Sequence, residues 1–167
     1  MLVGPYSPVA AIVRKAHAKG WHPIFVTVSF VGTEQFIKEA GSDADGTIIT
    51  QVVPPPDRTD LPTVKLYHEA LAKYFPAAQP SFVSLEGFVD AMVFVEGLKR
   101  AGKDVTREKF IEGIESMHNA DLGLGAKLRT NYSATSHKGL SQVYATVVKG
   151  GKPELLTNWS EVKHEGF

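Results

Sequence analysis

Histidines and carboxylates are the side chains in this 167-residue sequence with the widest chemical use. No two histidines flank a glutamate in an HExxH pattern, and none lies beside a carboxylate cluster of metal-binding type. Asp43 and Asp45 lie in a short polar loop ending at Gly46, but the later glutamate of a calcium loop is missing, so a solvated turn is expected. We therefore expect no metal site; the histidines are His17, His22, His68, His118, His137 and His164.

Catalytic motifs with a defined nucleophile or phosphate cradle are absent from the sequence. It contains no G-x-S-x-G elbow for a serine nucleophile and no Gly-Lys-Ser or Gly-Lys-Thr of a phosphate-binding loop. The lack of cysteine excludes a thiolate nucleophile, a thiolate metal site and a disulfide. We expect a protein that is not an enzyme and needs no cofactor; a small α/β hydrolase or transferase is an alternative.

The balance of charges limits the partners of the chain. Lysine and arginine together number 18, as do aspartate and glutamate, so the formal net charge is zero. Because nucleic-acid binding depends on an excess of basic charge facing phosphates, we expect no nucleic-acid partner. Hydrophobic residues make up 43% of the chain, which is typical of a globular protein with a core. No apolar run approaches the roughly 20 residues that span a bilayer.

Polar and aromatic side chains follow two predicted strands at the point where each strand ends. Tyr6 follows a short apolar start, and Ser29 and Phe30 follow the apolar run at residues 23–28. Ligands of open parallel sheets bind outside the carboxyl ends of the strands. Ser29 offers a hydroxyl and the free N–H groups of a helix start, which suit a carboxylate. We expect these three residues to bind a ligand; the alternative is that they only close turns.

Two different roles are open to the carboxylate of Glu86. It lies in the segment Ser84-Leu85-Glu86-Gly87, at the start of the most apolar predicted helix. There it either interacts with the helix dipole as a structural charge or faces a cleft and meets a cationic group. We include Glu86 among the predicted ligand-binding residues, with the structural role as the alternative.

Alternating strands and helices in the first third of the chain must position Tyr6, Ser29 and Phe30. Strands that are apolar on both faces are typical of a parallel sheet covered by helices, so we predict a βαβαβ segment over residues 1–53. Its elements are a strand end at 1–3, a helix at 9–19 capped by Ser7, a strand at 23–28, a helix at 33–40 and a strand at 46–53.

Three successive prolines, Pro54 to Pro56, break this pattern and indicate a segment that crosses between two lobes. Residues 54–120 then form a helical segment, and residues 121–167 return to the first lobe through strands and a hairpin. The predicted elements are helices at 61–75, 85–101 and 106–117, the last capped by Thr106, strands at 127–131, 142–148 and 154–156, and a turn at 149–152.

Several of these segments together resemble the periplasmic solute-binding proteins of the branched-chain amino acid type. They are Gly4-Pro5-Tyr6-Ser7-Pro8, residues 14–20 (RKAHAKG), 25–32 (FVTVSFVG), 46–54, 82–102 and 133–139 (SATSHKG). The resemblance runs in order over nearly the whole chain. It implies a type I periplasmic-binding fold, in which two α/β lobes close over a ligand.

The resemblance also implies a function and a missing part. The turns of Tyr6 and Ser29 would contact the ligand from the C-terminal lobe, and Ser29 stands where amino-acid binders often carry an acidic residue. Residues 54–120 would belong to the N-terminal lobe, whose sheet would lie upstream of Met1. We therefore expect the C-terminal part of a periplasmic or otherwise extracytoplasmic solute-binding protein, for an amino acid or a similar small polar ligand.

Its expected partner is the membrane permease of an ABC-type uptake system. The alternative is a ligand-sensing domain of a signalling receptor, with a receptor kinase as the partner. The three helices of residues 54–120 would be without their sheet, and large exposed apolar patches seldom persist in soluble proteins. A homodimer through these exposed helices is therefore also expected.

Overall fold

The computed structural model describes residues 1–125 and 128–162. The chain divides into two compact units: unit 1 comprises residues 1–55 with the chain from Val143 onward, and unit 2 is Pro56–Gln142. The segment expected at 121–167 is therefore shared between the units, because Tyr132 N–H donates to the Met117 carbonyl (2.9 Å) at the end of the helical region. None of the described helices is both long and apolar enough to cross a bilayer.

Eleven regular elements run in the following order along the described residues. They are α1 (Tyr6–His17), β1 (Val26–Val28), α2 (Thr33–Ala40), β2 (Ile48–Gln51), α3 (Pro62–Tyr74), α4 (Phe82–Ala101), α5 (Arg107–Glu115), β3 (Ala120–Asp121), β4 (Arg129–Thr130), β5 (Tyr144–Lys149) and β6 (Lys152–Leu155). Short 3-10 turns lie at Ser29–Val31, Gly41–Ala44 and Trp159–Glu161.

Unit 1 is built on a four-stranded sheet in the order β1-β2-β5-β6. β1 and β2 are parallel, as predicted, with Val28 opposite Thr50. β5 runs antiparallel to β2, and β6 completes the predicted hairpin with β5. The sheet is therefore mixed, because a hairpin from the end of the chain adds two strands of alternating direction to the parallel pair.

The core of unit 1 lies between this sheet and the helices α1 and α2. Val9 and Val13 of α1, Phe36 of α2, and Ile49 and Val148 of the strands are all buried in one cluster. Apolar side chains at positions 9 and 13 of α1 lie one turn apart on the same helix face, which is why this face packs on the sheet. The cluster fixes the positions at which α1 and α2 begin.

Two details at the start of unit 1 differ from the sequence prediction. α1 begins at Tyr6 with Pro5 at the N-cap position, because the Pro5 carbonyl accepts the Val9 N–H, so the predicted Ser7 cap is wrong. Residues 1–3 form no strand, although Leu2 N–H donates to the Val26 carbonyl at 2.8 Å.

Unit 2 contains three helices and the short β3–β4 pair. The predicted cap of α5 is confirmed, since the Thr106 hydroxyl accepts the Lys109 N–H at 3.2 Å. α4 and α5 approach closely at two buried glycines, Gly97 and Gly113. Of the strand predicted at 127–131, Lys127 lies outside the described residues, and β4 covers Arg129–Thr130.

α4 is only partly buried within unit 2. Phe82, Leu85 and Val89 are buried, but Phe94 and Val95 are about half exposed at 53% and 47%. Part of the apolar surface of α4 therefore lies outside the core of unit 2. Phe88, Met92 and Val95 line an open groove of about 550 Å³.

Candidate functional site

The ring of Tyr6 lies against the turn that follows β1. A Cβ placed on Gly32, the residue that ends the Ser29–Val31 turn, would lie 3.9 Å from Cδ1 of Tyr6. Gly32 has a positive φ of 72°, a conformation that costs least for glycine. The structure thus brings together Tyr6 and the turn of Ser29 and Phe30, which the sequence placed at two strand ends.

Two helix N-termini meet at this edge of unit 1. The N-cap residues of α1 and α2 are Pro5 and Gly32, and neither has a side-chain oxygen to accept a first-turn N–H. α1 carries no acidic residue in its first turn, whereas α2 carries Glu34. Uncapped N–H groups at the positive end of a helix dipole favour a carboxylate or another anionic group.

Ser29 and Phe30 offer two different surfaces to a ligand. Ser29 is half-buried at the end of β1, and its carbonyl accepts the Gly32 N–H at 3.0 Å, which closes the turn. Phe30 is 69% exposed, so most of its ring is accessible to a ligand. The edge therefore combines N–H groups and a hydroxyl with two aromatic faces, a combination that suits a small ligand with a polar head and an apolar body.

A buried polar network fixes the start of α2 behind this edge. The amide Nε2 of Gln51, at the end of β2, donates to the hydroxyls of Thr33 (2.8 Å) and Thr146 (3.2 Å). The Thr146 hydroxyl in turn donates to the Ile49 carbonyl at 2.9 Å. Gln51 and Thr33 are fully buried, so these bonds join the first residue of α2 to two strands without competition from water.

The loop of Asp43 and Asp45 is more than the solvated turn that was expected. Asp45 accepts the N–H groups of Gly150 (3.1 Å) and Gly151 (3.0 Å), which ties this loop to the β5–β6 hairpin. Asp43 Oδ1 lies 2.8 Å from Nδ1 of His17. Both carboxylates therefore have structural partners that sequence spacing did not indicate.

Glu86 lies in unit 2, on the first half of α4. Burial raises the pKa of its carboxyl, and the negative charge of Asp90, one turn further along, raises it again. Burial and the same Asp90 also raise the pKa of Tyr132. No cation within the described residues forms an ion pair with Glu86 or Asp90, so this carboxylate pair matches either role predicted for Glu86. The spacing of four residues could have indicated Asp90; nothing in the sequence indicated Tyr132.

Within residues 1–125 and 128–162, no three histidine or acidic side chains converge in a way that could hold a metal ion. His17 stacks on His22 with ring centroids 4.6 Å apart. His137 Nε2 lies 2.9 Å from Glu115, and His164 lies outside the described residues.

Comparisons with known proteins confirm the resemblance. A family model described as periplasmic binding protein matches residues 1–152. No curated protein matches the chain. Among solved structures, a "possible leucine/isoleucine/valine-binding protein" from Rhodopirellula baltica is 31% identical with a TM-score of 0.87, over 96% of this chain and 43% of that one.

Two further solved structures share the fold. A branched-chain amino acid ABC transporter protein from Thermus thermophilus, with bound valine, is 23% identical (TM-score 0.78, 93% of this chain and 44% of that one). A fatty acid ABC transporter substrate-binding protein from Thermomonospora curvata is 24% identical (TM-score 0.75, 93% and 41%). The chain thus spans less than half the length of each protein, and the predicted type I periplasmic-binding fold class is confirmed.

Proposed function

This chain belongs to the periplasmic binding protein family, and on that basis we propose that it functions as part of an extracytoplasmic solute-binding protein. Its ligand is an amino acid or a related small polar molecule, and its task is uptake through an ABC-type permease. The chain binds its ligand without catalysing a reaction, in keeping with a family of binding proteins.

One observation carries this proposal: the edge of unit 1 where Tyr6 lies against the turn of Ser29 and Phe30, between two uncapped helix starts. The helix N–H groups and the Ser29 hydroxyl bind the carboxylate of the ligand. Tyr6 and Phe30 cover its apolar part, since exposed aromatic rings bind apolar groups with little loss of conformational entropy.

The expected ligand class follows from the similar solved structures and from Ser29 together. The Rhodopirellula protein, which is 31% identical, is described as binding leucine, isoleucine or valine. Ser29 carries no charge, so it cannot neutralise the ammonium of an amino acid as an acidic residue would. The ligands to test are therefore branched-chain amino acids, an amide such as glutamine, and small carboxylates that lack an ammonium group.

Glu86, in unit 2, stays a separate prediction as a residue that pairs with a cationic group. Its carboxyl is partly desolvated and has the like charge of Asp90 beside it, so a cation bound there would relieve an unfavourable interaction.

The homodimer stays a prediction. The exposed Phe94 and Val95 of α4 provide an apolar surface, and the zero net charge of the chain does not oppose self-association. Light scattering on the purified chain tests it, because the prediction requires twice the mass of 18.2 kDa.

Calorimetric titration with leucine, valine, glutamine and propionate tests the proposed function. Tyr6→Ala should weaken binding of the ligand that binds best by at least about tenfold, the equivalent of about 1.4 kcal/mol. Tyr74→Ala is the matched control, because Tyr74 is another exposed tyrosine, at 64%, in the other unit. The proposal fails if no compound in the panel binds, or if the two variants weaken binding equally.

A further inference from the structure

Unit 2 contains a second pocket, of about 450 Å³, whose wall is formed by Gly139 and by side chains with polar groups, among them the aromatic Tyr132. The two permanently charged side chains on its wall, Arg129 and Lys138, are both cations, and no carboxylate lines it. His118, Ser133 and Ser136 add further groups that can donate hydrogen bonds. This composition differs from that of an ordinary solvated surface, where charges of both signs alternate.

The loop that forms one wall of the pocket is closed by backbone hydrogen bonds. Ser133 and Ser136 exchange both of their N–H to carbonyl bonds, at 2.9 Å and 3.0 Å. The Asn131 N–H donates to the Gly139 carbonyl at 3.0 Å, which joins the two ends of the loop. The backbone that carries the hydroxyl groups of Ser133 and Ser136 is therefore held in place before any ligand binds, which lowers the entropy cost of binding.

The ring of Tyr132 packs against bare backbone at Gly139. A Cβ at position 139 would overlap the Tyr132 hydroxyl, so the ring can occupy this place only because residue 139 is glycine. The width of the pocket thus depends on two of its own residues. A larger residue at 139 would displace the ring without changing any charge.

The protein neutralises the two cations of the pocket, Arg129 and Lys138, to different degrees. Arg129 forms an ion pair with Asp121, which uses part of its guanidinium and leaves other N–H groups for a ligand. The side chains of Lys138 and His118 have no hydrogen-bond or ion-pair partner in the part of the chain that the structure describes. The nearby Glu115 is paired with His137. Arg129 is therefore partly neutralised and the charge of Asp90 acts on Tyr132 of the wall, whereas no carboxylate of the described residues forms an ion pair with Lys138.

From the two cations of the wall, the serine hydroxyls on a closed loop and the unpaired Lys138, we propose that this pocket binds a small oxyanion, a phosphate or a carboxylate group. Lys138 and Arg129 donate charge-assisted hydrogen bonds to the anion, and the hydroxyls of Ser133 and Ser136 complete its shell. The pocket lies wholly within unit 2 and uses none of the residues proposed for the solute, so the two proposals succeed or fail separately.

Calorimetric titration with inorganic phosphate and, separately, with acetate tests the pocket. Lys138→Gln should weaken binding about tenfold, the effect of losing one hydrogen bond between charged groups. Lys138 is exposed and has no partner among the described residues, so this change leaves the fold intact. Lys103→Gln is the matched control, because Lys103 is an exposed lysine of the same unit away from the pocket.

Each outcome of these titrations decides the proposal. Tighter binding of phosphate supports a phosphate group as the ligand, and equal binding of acetate supports a carboxylate. A loss of affinity in Gly139→Ala, with the secondary structure unchanged by circular dichroism, supports the pocket through its shape. The proposal is overturned if neither anion binds, or if Lys103→Gln weakens binding as much as Lys138→Gln.

Discussion

Replacing glycine by alanine should have opposite effects on the free energy of unfolding at two positions: Gly113, at the contact between α4 and α5, and Gly87, at an exposed position of α4. A Cβ at Gly113 would lie 2.7 Å from the Gly97 carbonyl oxygen and 3.2 Å from the Ala101 nitrogen, and both are backbone atoms that cannot rotate away. α5 would have to move by several tenths of an ångström. Alanine is the better helix former by about 1 kcal/mol, but overpacking of a tight contact costs about 1–3 kcal/mol. We expect Gly113→Ala to lower the free energy of unfolding by up to about 2 kcal/mol.

Gly87 is the matched control for this change. It also lies inside a helix, α4, but it is exposed, and a Cβ there would meet nothing within 4 Å. Gly87→Ala should therefore raise the free energy of unfolding by about 1 kcal/mol through helix propensity alone. Urea unfolding followed by circular dichroism measures both changes. If Gly113→Ala also stabilises the chain, α4 and α5 do not approach as closely as the structure shows.

Three further changes test other interactions. Thr33→Val should lower the free energy of unfolding by about 1–3 kcal/mol, because it removes one of the two hydroxyls that accept from the buried Gln51 amide; a change equal to that at an exposed threonine would contradict this. Asp45→Ala should cost about 1 kcal/mol and raise hydrogen exchange in the β5–β6 turn, whereas unchanged exchange would show that its two bonds are absent in solution. Because the folded-state pKa of Glu86 is raised, its ionisation weakens the fold as pH rises through that pKa. Glu86→Gln should therefore raise the urea midpoint near neutral pH and lose this gain below the ordinary glutamate pKa, and a lower midpoint at neutral pH would contradict the burial and the effect of Asp90.

Local signals in the sequence predicted the helices best. α2 has the predicted bounds because glycines at 32 and 41 adopt positive φ at its two ends. Thr106 was recognised because a threonine before a helical pattern is a strong cap. Ser7 was misassigned because Pro5, two residues earlier, can hold the N-cap position through its carbonyl alone.

Features that depend on distant parts of the chain were beyond sequence analysis. The second strand that pairs with β2 is β5, which comes from the end of the chain. Its antiparallel pairing could therefore not be derived from local patterns. One exception is the nearness of Tyr6 to the turn after β1, which the rule that ligands meet strand ends predicted: Cδ1 of Tyr6 lies 3.9 Å from the position of a Cβ on Gly32, the residue that ends this turn. The pocket at Lys138 and the influence of Asp90 on Tyr132 depend on the return of residues 131–139, which no periodic pattern marks.

The proposed ligand site at the edge of unit 1 is tested most directly by a nuclear magnetic resonance titration. Leucine, valine, glutamine and propionate are added in turn to the isotopically labelled chain, and the backbone amide signals are followed. We predict that the compound that binds shifts the signals of Tyr6, Ser29 and Phe30 and of the first turn of α2, while those of the β5–β6 turn stay unchanged. Shifts confined to other residues, or no shift with any compound, would contradict the account.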